Sequence, residues 1–292
     1  MKISCALNSA KKILREKNIE SFALDALILL CHATSFSKEK IIFNPDIILD
    51  EESCKTFENM VARRFNREPI SHIIGKREFF GYDFIVSNKT LDPRPDSESL
   101  IELVIKNFPD KNKNFNILEI GVGTGCLIIS LLKNFVNATG EGVDISLDAL
   151  NICQRNLENH NLQNRLQIFQ SDLFAKIAIS QKFDLIISNP PYIKSADIQT
   201  LQDEVRLHEP ILALDGGVDG LDFYRKIADE AGNFLVSNGK IILEIGFGQK
   251  QDVERIFVNN GFAVQEVAKD LAGVERLFVF GSADKTRSVL NE

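Results

Sequence analysis

From about residue 93 the chain alternates short aliphatic and β-branched runs with stretches of helical spacing. The runs predict strands at 116–120, 142–145, 166–170, 183–188, 240–245, 263–267 and 277–280. The intervening periodicity predicts helices at 97–107, 126–134, 147–159, 221–237 and 249–260. Strand–helix alternation of this kind implies a mostly parallel sheet covered on both faces. The last two strands are separated only by a short link containing Asp270 and Gly273. That link is too short for a parallel crossover, so one late strand should run antiparallel. The first part of the chain reads differently. All 17 glycines lie at or after Gly75, and a glycine-free stretch with helical spacing predicts packed helices. Leu24, Leu27, Ile28 and Cys31 have the spacing of one buried stripe, and Phe57, Met60, Val61 and Arg64/Phe65 repeat it. Residues 1–75 are therefore expected to form a small helical bundle, punctuated by Pro45 and Pro69. The segment KREFFGYDFIV predicts two short strands around Gly81, a hairpin in a linker spanning 76–92. A large α/β domain should then occupy 93–284, leaving 285–292 as a polar tail.

Composition narrows the function classes. The 292 residues are 44% hydrophobic and 26% charged, which suits a globular protein with a sizeable core. A net charge of −7 argues against binding nucleic acid through phosphate contacts. The five cysteines are scattered without a CxxC pair, and there are only four histidines. A disulfide scaffold and a zinc site are thus not expected, and no metal is predicted. The longest apolar run, 22–31, is short and carries Asp25. A membrane span needs about 20 apolar residues, and the N-terminus lacks a secretory core. A soluble, cytoplasmic protein is expected.

Two segments carry candidate chemistry. The first is GVGTG, which places Gly121, Val122, Gly123, Thr124 and Gly125 between the strand at 116–120 and the helix at 126–134. Glycine lets backbone approach a ligand closely, and turns of this kind lie where α/β sheets bind ligands. A dinucleotide fingerprint would require glycine where this chain has Cys126. A tight structural turn is the alternative. Asp144 lies 19 residues beyond Gly125 at the end of the next strand. An acid there can accept both hydroxyls of a ribose. It could instead cap the helix at 147–159, although Ser146 is also placed to do so. After the third strand, Asp172 could accept from an exocyclic amine and the backbone N–H of Leu173 could meet a ring nitrogen. No Lys or Arg sits in the glycine turn and no GK[ST] follows it. The expected ligand is an adenosine compound without demanding phosphates.

The second segment is Asn189-Pro190-Pro191-Tyr192, at the end of the fourth strand. The prolines fix φ, lack N–H groups and stiffen the residue before each of them. The turn therefore presents acceptors without competing donors: the Asn189 side-chain oxygen and the Pro190 carbonyl. Tyr192 adds a flat face. Two acceptors and a flat wall suit a planar NH₂ group.

With GVGTG, VDIS and NPPY in this order, the chain resembles class I S-adenosylmethionine-dependent amino methyltransferases. NPPY alone is shared with enzymes acting on adenine in DNA. Further segments are similar to the HemK/PrmC family of protein-glutamine methyltransferases: EPISHIIGKREFFGYDF at 68–84, DPRPDSE at 92–98, EPILALDGGVDGLDFYRKI at 209–227, LEIGFGQ at 243–249 and DLAGVERLFVF at 270–280. The resemblance implies a Rossmann-like, seven-stranded mixed sheet joined by the hairpin to the helical bundle, which is read either as a substrate-docking domain or as a stabilising appendage. It implies S-adenosyl-L-methionine as donor, S-adenosyl-L-homocysteine as product and peptide chain release factors as protein partners. The methylated group would be the side-chain amide of the glutamine in Gly-Gly-Gln. Gly121–Gly125, Asp144, Asp172, Leu173 and Asn189 would then hold the donor. Asn189, Pro190, Pro191 and Tyr192 would hold the glutamine, with Asn189, Pro190 and Tyr192 catalytic. Glu119 and Val122 stand where family turns often have Asp and Thr, and Leu173 where some members have an aromatic. A monomer is expected, without membrane or nucleic acid.

Other readings stay open at this point. The same chemistry could serve a ribosomal-protein glutamine or a nucleobase amine. A non-enzymatic adenosine-binding scaffold is the third reading. DPRPDSE could be a loop leading to a helix cap through Asp96 or Ser97, or a wall of the pocket. Glu244 and Arg276 are expected as a structural ion pair without a catalytic role. The four histidines are expected to be structural or at the surface.

Overall fold

The computed structural model describes residues 1–270 and 272–283, so the tail expected at 285–292 lies outside the described residues. The chain begins with helices α1 (Ile3–Glu16), α2 (Phe22–Thr34), α3 (Lys38–Phe43), α4 (Glu51–Phe65) and α5 (Ile70–Ile74). A hairpin follows, β1 (Lys76–Phe79) and β2 (Tyr82–Ile85), then α6 (Glu98–Asn107). Next come β3 (Asn116–Ile120), α7 (Cys126–Asn134), β4 (Thr139–Asp144), α8 (Leu147–Asn159), β5 (Leu166–Gln170) and β6 (Phe183–Ser188). The last elements are α9 (Asp203–His208), α10 (Asp222–Ala231), β7 (Leu235–Glu244), α11 (Lys250–Asn259), β8 (Phe262–Lys269) and β9 (Glu275–Ser282).

These elements form two compact units. One comprises Met1–Lys76 together with Gln202–His208, and the other comprises Arg77–Leu201 with the chain from Glu209 onward.

In the first unit, α1 buries Ile3, Ala6, Ala10 and Leu14 along one stripe, and α4 buries Phe57, Met60, Val61 and Arg64. The expected stripe on α2 is not the buried one. Leu24 is 53% exposed, and Asp25, Ala26, Leu29 and Leu30 face inward. This helix is apolar nearly all round, so spacing alone does not choose its face. The choice follows from Asp25, whose carboxylate accepts from Arg64 Nε at 2.7 Å. A buried charge needs a partner, and only this rotation supplies one. Arg64 Nη1 and Arg67 Nη1 also reach Glu204 of the returning segment, both at 3.1 Å.

The second unit is built on a seven-stranded sheet of order β5-β4-β3-β6-β7-β9-β8. The pairs among β5, β4, β3, β6 and β7 are parallel. As the short link required, β9 runs antiparallel to both β7 and β8. Alternation along each strand sends side chains to opposite faces. In β6, Leu185 and Ile187 join the cluster of α6, α7 and α8, whereas Ile186 joins that of α10 and α11. Several boundaries differ from the sequence expectation, and two have a clear physical reason. β4 starts at Thr139, hidden by Gly140 and Gly142. A Cβ on Gly140 would sit 2.7 Å from Ile128 Cδ1, so glycine is what lets α7 close on this strand. Helix α10 ends at Ala231 rather than at 237, because Phe183 N–H donates to the Phe234 carbonyl and Leu235 pairs with Phe183. The sheet outcompetes helical spacing there.

The chain runs outward from β3 through β4 to β5, then returns to place β6 on the other side of β3. Such a reversal opens a crevice at the carboxyl ends of the strands.

Candidate active site

The crevice is a cavity of about 270 Å³, walled by the ends of successive parallel strands. After β3, Gly121, Gly123 and Gly125 all have positive φ, at 73°, 53° and 79°. Gly125 is constrained twice. Its φ disfavours a side chain, and a Cβ there would lie 2.7 Å from Cys153 Sγ. The turn is pinned by Gly121 and Val122 N–H groups donating to the Val143 carbonyl, at 2.9 and 3.0 Å. Its outer backbone faces the cavity together with Val122 and Thr124.

At the end of β4, Asp144 Oδ2 accepts from Gly123 N–H and Oδ1 from Ser146 N–H, each at 2.9 Å. The cap of α8 is Ser146, whose hydroxyl accepts from Ala149 N–H at 3.2 Å. Asp144 is thus not spent on capping, and each of its oxygens retains lone-pair capacity toward the cavity. Burial pushes its carboxyl up, opposed by the N–H groups of Ser146, Gly123 and Ile145. Beyond β5, Asp172 is exposed and Leu173 buried, both in the cavity wall. Leu173 has φ 46°, a conformation that costs a non-glycine residue about 1–2 kcal/mol. The Ser171 hydroxyl, donating to the Leu173 carbonyl at 2.9 Å, helps to hold it. Glu119 lies under α7 and accepts from Ile128 N–H at 3.0 Å. Burial pushes its carboxyl well above the usual range.

At the end of β6, Asn189, Pro190 and Pro191 line the same cavity. Asn189 Nδ2 donates to Ser97 Oγ at 3.2 Å, and Ser97 Oγ donates to Glu244 Oε2 at 2.5 Å. Tyr192, expected to supply a flat wall, follows this corner without itself lining the cavity. The ring packs beside Gly246, its carbonyl accepts from Gln249 Nε2 at 2.9 Å, and burial pushes its phenol up to about 12.

DPRPDSE is a wall of the cavity rather than a capping loop. Pro93, Arg94 and Ser97 line it, and the Ser97 hydroxyl makes no cap to α6. The expected Glu244–Arg276 ion pair is replaced by another, in which Arg276 Nε donates to Asp270 Oδ2 at 3.2 Å. None of the four histidines lines the cavity. No cluster of His, Cys, Asp or Glu able to hold a metal occurs among the described residues. No helix among them is long and apolar enough to cross a membrane.

Sequence reasoning gave no role to Arg94 or Glu209. Arg94 Nη2 donates to both Glu209 oxygens at 2.7 Å. Burial pushes the Glu209 carboxyl up to about 7, against the pull of Arg94 and with Asp92 reinforcing the rise. Below the ordinary 4.5 this carboxyl is neutral in both folded and unfolded chains. As pH rises from there to about 7, the unfolded chain releases a proton that the folded chain keeps. The folded state then binds more protons, so stability falls across that window. Glu209→Gln should therefore flatten the decline in unfolding free energy between about pH 5 and about pH 8, read by denaturant titration at each pH. An unchanged slope would refute this titration.

A seven-stranded sheet of this order, with a glycine turn, a strand-end acid and an Asn-Pro corner around one cavity, defines a class I methyltransferase. A methyltransferase from Pyrococcus furiosus shares the fold, with a TM-score of 0.53 and 20% identity, over 77% of this chain and 99% of that one. Residues 6–75 match the family described as PrmC N-terminal domain, and residues 85–217 match Methyltransferase small domain. The release factor glutamine methyltransferase of Agrobacterium fabrum is 40% identical over 281 residues, which is 95% of this chain and 96% of that protein. The bifunctional methyltransferase of Rickettsia conorii is 39% identical over 305 residues, and the chain spans only 58% of its length. More particularly, the chain belongs to the release factor glutamine methyltransferase family.

Proposed function

We propose that this protein transfers the methyl group of S-adenosyl-L-methionine to the side-chain amide nitrogen of the glutamine in the Gly-Gly-Gln motif of peptide chain release factors. It would do so as a cytoplasmic monomer, with residues 1–75 docking the protein substrate. The observation that carries the reading is one cavity lined by both Asp144 and the Asn189-Pro190 corner. The donor set fits an adenosine compound. A carboxylate faces the cavity, the glycine turn offers close backbone approach, and no Lys or Arg of that turn is there to demand phosphate. When bound, the cofactor supplies a sulfonium-activated methyl group and becomes S-adenosyl-L-homocysteine.

An amide nitrogen is a poor nucleophile because its lone pair is delocalised into the carbonyl. Asn189 Oδ1 and the Pro190 carbonyl accept the two amide hydrogens, fixing the nitrogen and favouring the positive charge that develops on it. Orientation of this kind can supply about 7–11 kcal/mol of barrier reduction. The two prolines keep donors away from that corner. Asp144 would take the ribose hydroxyls, while Asp172 and the backbone of Leu173 would meet the adenine edge. We place Tyr192 behind the corner, bracing it through Gln249. No strong base is needed before transfer, since the nitrogen becomes acidic as it is alkylated.

The test supplies labelled methyl donor with purified release factor, ribosomal protein and DNA in parallel. Label in the Gly-Gly-Gln peptide of the release factor, located by mass spectrometry, is expected. Label confined to DNA or to ribosomal protein would overturn the substrate assignment.

A further inference from the structure

A carboxamide is two-faced: one end only accepts, and the other only donates. Asn189 can receive an amide hydrogen only when its oxygen points into the cavity, and a half-turn about its last bond would present NH₂ instead. Something must therefore fix its sense. The Ser97 hydroxyl has a single proton, and that proton is committed to Glu244 at 2.5 Å. Toward Asn189, Ser97 Oγ then has only lone pairs to offer, and the 3.2 Å contact from Nδ2 satisfies them. Reversal would set the Asn189 oxygen against those lone pairs. Both supporting side chains lie deep, Ser97 3% and Glu244 4% exposed.

We propose that Ser97 and Glu244 form a positioning relay that locks the Asn189 carboxamide with its NH₂ inward and its oxygen toward the substrate. This rests on the reading of Asn189 as the amide acceptor. The relay ties together three segments far apart in sequence: the DPRPDSE wall, the end of β6 and the end of β7. It also gives a role to the two features that the reaction itself left unused. Burial pushes the Glu244 carboxyl up, and the Ser97 hydroxyl, Arg276 and Asn189 hold it down while Asp96 opposes them. The carboxylate form is the one that takes the Ser97 proton.

A double-substitution cycle on the full chain tests the relay. It measures kcat for release factor methylation and calorimetric cofactor affinity for the wild type, Ser97→Ala, Asn189→Ala and the double variant. Ser97→Ala should lower kcat about tenfold in the wild-type background, the scale of one lost hydrogen bond. With Asn189 already alanine it should change kcat less than about twofold, because a residue acting only through Asn189 has nothing left to position. Cofactor affinity should fall far less than kcat in every variant. Ser97→Thr and Ser97→Val differ essentially by the hydroxyl. The first should retain turnover and the second lose it, a comparison that stands even where the alanine variant fails to bind cofactor. The relay is overturned if Ser97→Ala keeps wild-type kcat, or loses the same factor in both backgrounds. If Asn189→Ala turns over like the wild type, the acceptor reading of Asn189 fails and takes the relay with it. If the wild type labels no release factor, the reaction assignment is what fails.

Discussion

Asn189→Ala should lower kcat for release factor methylation by about 100–1000-fold while leaving the cofactor dissociation constant nearly unchanged. The magnitude is that of removing one preorganised donor or acceptor aimed at developing charge, about 3–4 kcal/mol. The split follows from position. Asn189 follows β6, and its side chain is tied to Ser97 rather than to the glycine turn or Asp144. An acceptor at the reacting nitrogen matters most when that nitrogen gains positive charge, which happens only during transfer. Single-turnover methylation with labelled donor, alongside calorimetric titration of the cofactor, separates the two quantities. Equal losses in binding and turnover would remove Asn189 from the chemistry.

Asp144→Ala should show the opposite pattern, with cofactor affinity weakened about 10–100-fold and kcat at saturating cofactor retained. A hydrogen bond to a charged group contributes about 1.5–3 kcal/mol, and each 1.4 kcal/mol is tenfold. The same carboxylate also receives the N–H groups of Gly123 and Ser146. Alanine should therefore loosen the turn as well as remove the proposed ribose acceptor. Asp144→Asn keeps one acceptor oxygen and should fall between wild type and alanine. Cofactor titrations of the three proteins check the order. Affinity unaffected by alanine would place the ribose elsewhere.

The sequence made most of the sheet legible because β3, β6 and β7 carry short aliphatic runs buried on both faces, Ile117-Leu118, residues 185–187 and residues 241–243. It singled out segments that the fold brings to one cavity, because glycine turns, strand-end acids and proline corners each have a local chemical signature. Its failures have physical causes. Helix α2 is greasy on every side, so only the distant Arg64 decides which face turns inward. The strand at Leu235 looked helical because pairing with β6 is a long-range event that no local window contains. Ser97, Arg94, Glu209 and Glu244 belong to the site or its support through contacts across about a hundred residues of chain. Nothing in their own neighbourhoods marks those partners. Tyr192 shows the converse, a motif residue that packs beside Gly246 and is not among the residues lining the cavity.

The tie between Arg64 and Glu204 joins positions 140 residues apart. It lies within the compact unit that begins at Met1 and also includes Gln202–His208. As the nascent polypeptide leaves the ribosome, its five leading helices can collapse early, but the last piece of their structure is translated only after most of the sheet's parallel strands. Assembly of the leading unit is consequently completed late, and synthesis that stops before Glu204 leaves Arg64 without its second carboxylate.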